Sequence, residues 1–283
     1  MKVLGTDQFS KKKFKLLEFE HKEFKGILGD IPKNFIMVIF GDSGNGKTEF
    51  CIQLAKFLTS FGKVAWLSYE QGHGYDLQKA TTRNNMNEVS GKFYIIDPSE
   101  NLPAGVTFFQ DLDKYLNRRN SPDFIFIDSI DYTQFTWEDY VYLKNKYGKR
   151  KTFIFISHAD GNKPKKSISK NIHYDGHIGI YVHKFIAYPS KNRFGGIEDY
   201  VIYDKRAREL NPIYFQKRAN NADLFNPKAE KQNEAGGVNA DLGGAIVTET
   251  PIKEPEKAIL PPMDNTELVL QVGENSTYPS HLN

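Results

Sequence analysis

Gly41-Asp42-Ser43-Gly44-Asn45-Gly46-Lys47-Thr48 fills every fixed position of the phosphate-binding pattern GxxxxGK[ST]. Immediately before it, Phe35-Ile36-Met37-Val38-Ile39-Phe40 is an unbroken apolar run, expected of a strand buried on both faces. After it, Phe50, Leu54, Phe57 and Leu58, with Cys51 and Ile52 beside them, mark the apolar side of a helix. Strand, glycine turn and helix in that order form the context in which the pattern holds a polyphosphate. Glycines let the backbone curl so that its N–H groups face the phosphates, and the helix start adds a favourable field. Lys47 is expected to reach the β- and γ-phosphates of ATP, and the Thr48 hydroxyl to hold Mg²⁺.

Two further segments belong to the same site. Lys63-Val64-Ala65-Trp66-Leu67-Ser68-Tyr69 reads as a strand running into Glu70, which then lies on the ligand edge of a parallel sheet. From there a carboxylate can orient or deprotonate a water for attack on the γ-phosphate. Phe124-Ile125-Phe126-Ile127 runs into Asp128, about 80 residues beyond the glycine turn, as an apolar strand ending in an acid that binds the Mg²⁺ shell. A further buried strand, Thr152-Phe153-Ile154-Phe155-Ile156, ends in Ser157 and His158, placed to sense the γ-phosphate.

Shorter elements fill the intervals. A strand is expected at Phe93-Tyr94-Ile95-Ile96, and helices at residues 107–118 and around Tyr140, Leu143 and Tyr147. Residues 162–177 show no strand or helix pattern, and their Lys163, Lys165, Lys166 and Lys170 suit contacts with the phosphates of a single DNA strand. A solvated basic loop is the plainer reading of the same segment. Residues 178–185 and 196–203 read as strands paired across a turn region at 189–196.

Composition sets the limits. The 283 residues carry a net charge of +3, but residues 226–283 hold four Lys against nine acidic residues, leaving +8 on the first 225. A basic globular part with an acidic tail is compatible with nucleic acid as partner. The single cysteine excludes a disulfide framework or a multi-cysteine zinc site and suits a reducing compartment. No apolar run approaches the roughly 18 residues of a membrane span, and no signal-peptide pattern opens the chain, so a cytoplasmic protein is expected. The expected organisation is a basic arm (1–23), an ATPase domain (24–225) and an acidic, disordered tail (226–283) able to carry a docking motif for a protein partner. The arm, with Lys11-Lys12-Lys13-Phe14-Lys15, reads as a contact for a neighbour or DNA, or as a solvated lead-in.

Together these motifs resemble the RecA-like ATPases, and most of all the central ATPase domain of the bacterial RadA (Sms) DNA-repair proteins. Besides the glycine turn, Trp66-Leu67-Ser68-Tyr69-Glu70 and Ile127-Asp128-Ser129, the resemblance rests on Lys191-Asn192-Arg193-Phe194-Gly195, a motif of that branch. It covers roughly residues 24–218. It implies an α/β fold with a RecA-like P-loop core, a mostly parallel twisted sheet flanked by helices, and antiparallel strands at the C-terminal side. It also implies a hexameric ring, ATP bound between subunits, Glu70 as the catalytic carboxylate, and turnover coupled to single-stranded DNA in recombination, repair or replication. Lys191 and Arg193 are then the cations a neighbour supplies to the γ-phosphate. The family's zinc finger, its protease-like domain and its threonine-lysine pair after the sensor histidine have no counterpart here, where Ala159-Asp160-Gly161 follow His158. A stand-alone core of this kind suits a phage or mobile element. The competing expectation is a nucleotide-switched assembly ATPase acting through protein partners.

Overall fold

The structure is a computed structural model, and it describes residues 1–19 and 22–224, and the side chains of residues 1–19 and 24–218. The expected acidic tail therefore lies outside the described residues. In chain order the elements are α1 (Thr6–Ser10), α2 (Lys22–Leu28), β1 (Ile36–Gly41), α3 (Lys47–Leu58), β2 (Val64–Ser68), α4 (Tyr75–Arg83), β3 (Phe93–Ile96), α5 (Phe108–Leu116), β4 (Phe124–Asp128), α6 (Trp137–Tyr147), β5 (Thr152–Asp160), β6 (Lys163–Pro164), α7 (Ser167–Asp175), β7 (Ile178–His183), β8 (Ile186–Asn192), β9 (Tyr200–Val201), α8 (Asp204–Leu210) and α9 (Pro212–Leu224). Short 3-10 turns lie at Met86–Val89 and Ile130–Tyr132.

The sheet runs β3-β2-β4-β5-β1-β7-β8-β9, with β6 pairing to β5 off this path. From β3 to β7 every pairing is parallel, and β7, β8 and β9 pair antiparallel. This is the α/β class expected from the sequence: a mostly parallel sheet flanked by helices, with antiparallel strands at the C-terminal side. Strand alternation divides the apolar residues between two layers. Met37, Ile39, Trp66, Phe126 and Ile154 pack with Phe50, Leu54 and Leu58 of α3 on one face. Val38, Phe40, Ile125, Ile127, Phe153 and Phe155 pack with Leu112 of α5, Tyr140 and Leu143 of α6 and Ile172 of α7 on the other. Burying each such side chain stabilises the fold by about 1.5–3 kcal/mol. Helices α5 and α6 start with reciprocal capping boxes, Thr107 with Gln110 and Thr136 with Asp139.

Two expectations are corrected. The segment expected to be a patternless loop forms β6 and α7. Ile168 and Ile172, one turn apart, turn the helix onto the sheet, and Ile172 is fully buried. Its polar remainder hides that single apolar stripe. The expected turn region at 189–196 lies partly in β8, which pairs directly with β7 through the two-residue turn Lys184-Phe185. Both turn residues have positive φ, 48° and 61°, the conformation of a tight hairpin that usually selects Asn-Gly. Without those residues the turn left no signal. Pro189 is tolerated in β8 beside a register shift in the β7–β8 ladder.

Candidate functional site

Parallel register gathers the strand ends. Gly41 stands opposite His158 across the β1–β5 pair, and Ser68 opposite Asp128 across β2–β4. Beyond Ser68, the N–H groups of Tyr69 and Glu70 both donate to the Asp128 carbonyl, at 2.6 and 3.1 Å, which pins Glu70 to the end of β4. The glycine turn leaves β1 under close constraint: a Cβ on Gly41 would collide with the Val182 carbonyl. Gly46 ends the turn at φ 95°, a left-handed conformation costly for any other residue, and α3 starts at Lys47.

The hairpin turn braces this loop. Asn45 Oδ1 accepts from the Lys184 N–H at 2.8 Å, and the Asn45 carbonyl accepts from the Phe185 N–H at 3.0 Å. The Phe185 ring lies so close to Gly46 that an added Cβ would sit 2.9 Å from it. The two strained turn residues are thus held by the loop they support.

Ser43, Gly44, Gly46, Lys47, Thr48, Glu70, Asp128 and His158 line one cleft of about 870 Å³. Lys47 Nζ donates to the Asp42 carbonyl at 3.0 Å. Burial lowers its pKa, opposed by the carboxylates of Glu70, Asp128 and Asp42. Asp128 is 7% exposed, and its carboxyl is pushed up to about 7, first by burial and then by Glu70, with Lys47 opposing. His158 Nε2 lies 3.4 Å from a Glu70 carboxylate oxygen without hydrogen-bond alignment and has no hydrogen-bond partner among the described residues. The donor set fits a hard cation with a triphosphate: a hydroxyl, a buried carboxylate short of positive charge, an ammonium and an unpartnered imidazole nitrogen.

The remaining expected residues sit elsewhere. The Ser157 hydroxyl is turned away from the cleft onto Asp131, 3.1 Å from Oδ2. Lys191 and Arg193 are not among the residues lining this cleft. Lys191 Nζ donates to the carbonyls ending α7, and the exposed Arg193 donates its main-chain N–H to the His177 carbonyl at 3.1 Å. Between them, Asn192 Nδ2 donates to the carbonyls of Ile27 and Leu28 at the end of α2, at 3.0 and 3.1 Å. Lys163, Lys165 and Lys170 are exposed, whereas Lys166 Nζ donates to the Asp131 carbonyl.

The sequence reading passed over Asp131, Phe185 and the far cleft wall of Gln53, Lys79, Arg83, Tyr203 and Arg206. Only Asp131 left a trace, as a second acid three residues after Asp128. Among the described residues, His73, Asp97 and Glu100 also have ligand atoms within 4.8 Å of one another, on exposed loops beyond β2 and β3.

The chain has an α/β fold with a mostly parallel sheet flanked by helices. No protein-family model matches the sequence, and no curated protein matches it. Among solved structures it is similar to the flagellar accessory protein FlaH from Methanocaldococcus jannaschii, with 19% identity over 66% of this chain and 91% of that one, at a TM-score of 0.48. It is likewise similar to a KaiC-like protein from the hyperthermophilic archaeon Pyrococcus horikoshii OT3, with 17% identity over 66% of this chain and 94% of that one, at a TM-score of 0.47. Likenesses at this level carry no argument about this chain. No helix among the described residues is long and apolar enough to cross a membrane.

Proposed function

We propose that the chain is a RecA-like, Mg²⁺-dependent ATPase of the RadA type, working as a ring and coupling turnover to single-stranded DNA. One observation supports the enzymatic part above all: Lys47, Thr48, Glu70, Asp128 and His158, drawn from three strand ends and a helix start, line a single cleft. The loop N–H groups and Lys47 bind the β- and γ-phosphates. Thr48 and Asp128 would hold Mg²⁺, which neutralises charge building on those phosphates. Glu70, fixed by its N–H on the Asp128 carbonyl, orients the attacking water and accepts its proton. His158 stands beside Glu70 and reads whether the γ-phosphate is present. Of the two cations expected from a neighbour, the exposed Arg193 acts on the neighbour's cleft, while Lys191 holds the end of α7.

The DNA part is supported by the exposed Lys163, Lys165 and Lys170, on β6, the bend after it and α7, next to the sensor strand. The test is phosphate release with Mg²⁺–ATP, with and without single-stranded DNA, comparing wild type with Lys163, Lys165 and Lys170 all changed to Ala. Stimulation by DNA in the wild type and its loss in the triple variant are expected. Turnover indifferent to DNA in a demonstrably assembled sample removes DNA from the reading.

A second reading, a nucleotide-switched assembly protein acting through protein partners, is favoured by the packing of α7. A packed helix moves as a body, which a protein surface can read as well as DNA can. Deleting residues 226–283 separates the two. A DNA motor keeps its stimulated turnover, and an assembly switch loses its partner.

A further inference from the structure

We propose that Asp131 is a positioning residue that fixes His158 opposite Glu70 and ties that pair to the first turn of α7. The assignment rests on the ATPase reading of the cleft. Asp131 sits in the 3-10 turn Ile130–Tyr132, directly after the β4 segment that ends in Asp128, and is 6% exposed. Its Oδ2 accepts the His158 main-chain N–H at 2.7 Å, and its Oδ1 accepts the Ser169 hydroxyl at 3.0 Å. The Ser157 hydroxyl lies 3.1 Å from Oδ2 and 3.0 Å from the His158 carbonyl, sharing one proton between them. Ser157 and Ser169 are fully buried.

The geometry explains why an acid is needed. The β4–β5 ladder ends at Asp128 opposite Ile156, so His158 lies beyond the last residue of β4 that could accept its N–H. The Asp131 carboxylate supplies that acceptor. Every group facing the carboxylate is a donor, and an ionised carboxylate is the side chain that only accepts. An Asn with its Oδ1 on the His158 N–H would turn its NH₂ to Ser169, whose hydroxyl would have to change from donor to acceptor. Strand alternation does the rest: Ser157 faces Asp131 while the next side chain, His158, faces Glu70.

Asp131 also grips α7 twice. Its carboxylate holds Ser169 and its carbonyl accepts from Lys166, whose side chain makes no capping bond of its own at the helix start. A shift of His158 when the γ-phosphate leaves therefore pulls on the start of the helix that carries Lys170 and follows Lys163 and Lys165.

The test uses the full chain with Asp131→Asn, and Ser169→Ala as a milder variant in case the first does not fold. Amide hydrogen exchange needs no activity: faster exchange at residues 156–160 and 167–172 together is expected in Asp131→Asn, and at 167–172 in Ser169→Ala. Kinetically, Asp131→Asn is expected to leave KM for ATP within about threefold while kcat falls at least tenfold, a split that general loosening would not give. Unchanged exchange in both segments, or wild-type kcat in a folded Asp131→Asn, overturns the proposal. If the wild type releases no phosphate, the ATPase reading fails by itself, and the exchange result still decides whether Asp131 joins β5 to α7.

Discussion

Lys191 Nζ lies 2.7 Å from the Gly176 carbonyl oxygen, and it also donates to the carbonyls of His173 and Tyr174, at 3.0 and 2.5 Å. The ammonium thus closes the C-terminal end of α7, where carbonyls lack helical partners and a positive charge is favoured. Burial lowers its pKa, and Arg193 adds to the effect. Hydrogen bonds from a charged donor contribute about 1.5–3 kcal/mol, less where water competes. Lys191→Ala is expected to lower the unfolding midpoint and to speed amide exchange at 170–176. If exchange there is unchanged while assembled ATPase activity is lost, Lys191 acts on the neighbour's cleft and not through α7.

The brace between hairpin turn and glycine loop predicts a binding defect without change in the reacting groups. Asn45→Ala removes the acceptor of the Lys184 N–H and frees a turn strained at both residues. A loss of about 1 kcal/mol of loop organisation corresponds to roughly fivefold weaker nucleotide binding. Calorimetric titration with a non-hydrolysable ATP analogue measures it, and an unchanged affinity would show that the loop holds its shape unaided.

Gly46→Ala meets two obstacles, the left-handed φ and the Phe185 ring. Nucleotide binding is expected to fall far more than with Asn45→Ala. Pairing it with Phe185→Ala clears the ring and leaves the backbone cost, so binding should return only in part, as the same titration would reveal.

Asp128 gives the metal- and nucleotide-free protein a pH dependence of definite sign. Its carboxyl titrates at about 7 in the folded chain against 3.8 ordinarily, so between those values the folded state holds a proton that the unfolded state has lost. Stability contributed by this group falls as pH rises through that window. The span corresponds to at most about 4 kcal/mol. Asp128→Asn, which cannot ionise, should gain in unfolding midpoint relative to wild type between pH 4 and pH 8. Thermal unfolding across that range checks it, and a difference that stays flat would mean that Asp128 is already charged in the fold.

Much of this molecule was legible in order along the chain, because buried parallel strands announce themselves as apolar runs. β1, β2, β4 and β5 fall where Phe35–Phe40, Lys63–Tyr69, Phe124–Ile127 and Thr152–Ile156 indicated, and their shared ends place Lys47, Glu70, Asp128 and His158 together. What stayed hidden depends on tertiary contacts. Helix α7 owes its existence to Ile168 and Ile172 meeting the sheet, amid Ser and Asn that favour turns over helix interiors. The Lys184-Phe185 turn is tolerated because Asn45 receives both its N–H groups. Asp131 carries no local sign of its role, because its donors lie on β5 and α7, 26 to 38 residues further on. Lys191 and Asn192 each close a helix end, a task that no local pattern encodes.

The account depends most on Glu70 acting on a triphosphate held by Lys47. The most direct measurement is phosphate release from Mg²⁺–ATP by wild type and Glu70→Gln, with ATP binding followed in the same samples. The account predicts that the wild type releases phosphate and that Glu70→Gln binds ATP as well but turns it over at least a hundredfold more slowly. Equal turnover by both proteins, or no ATP retained by either, would contradict it.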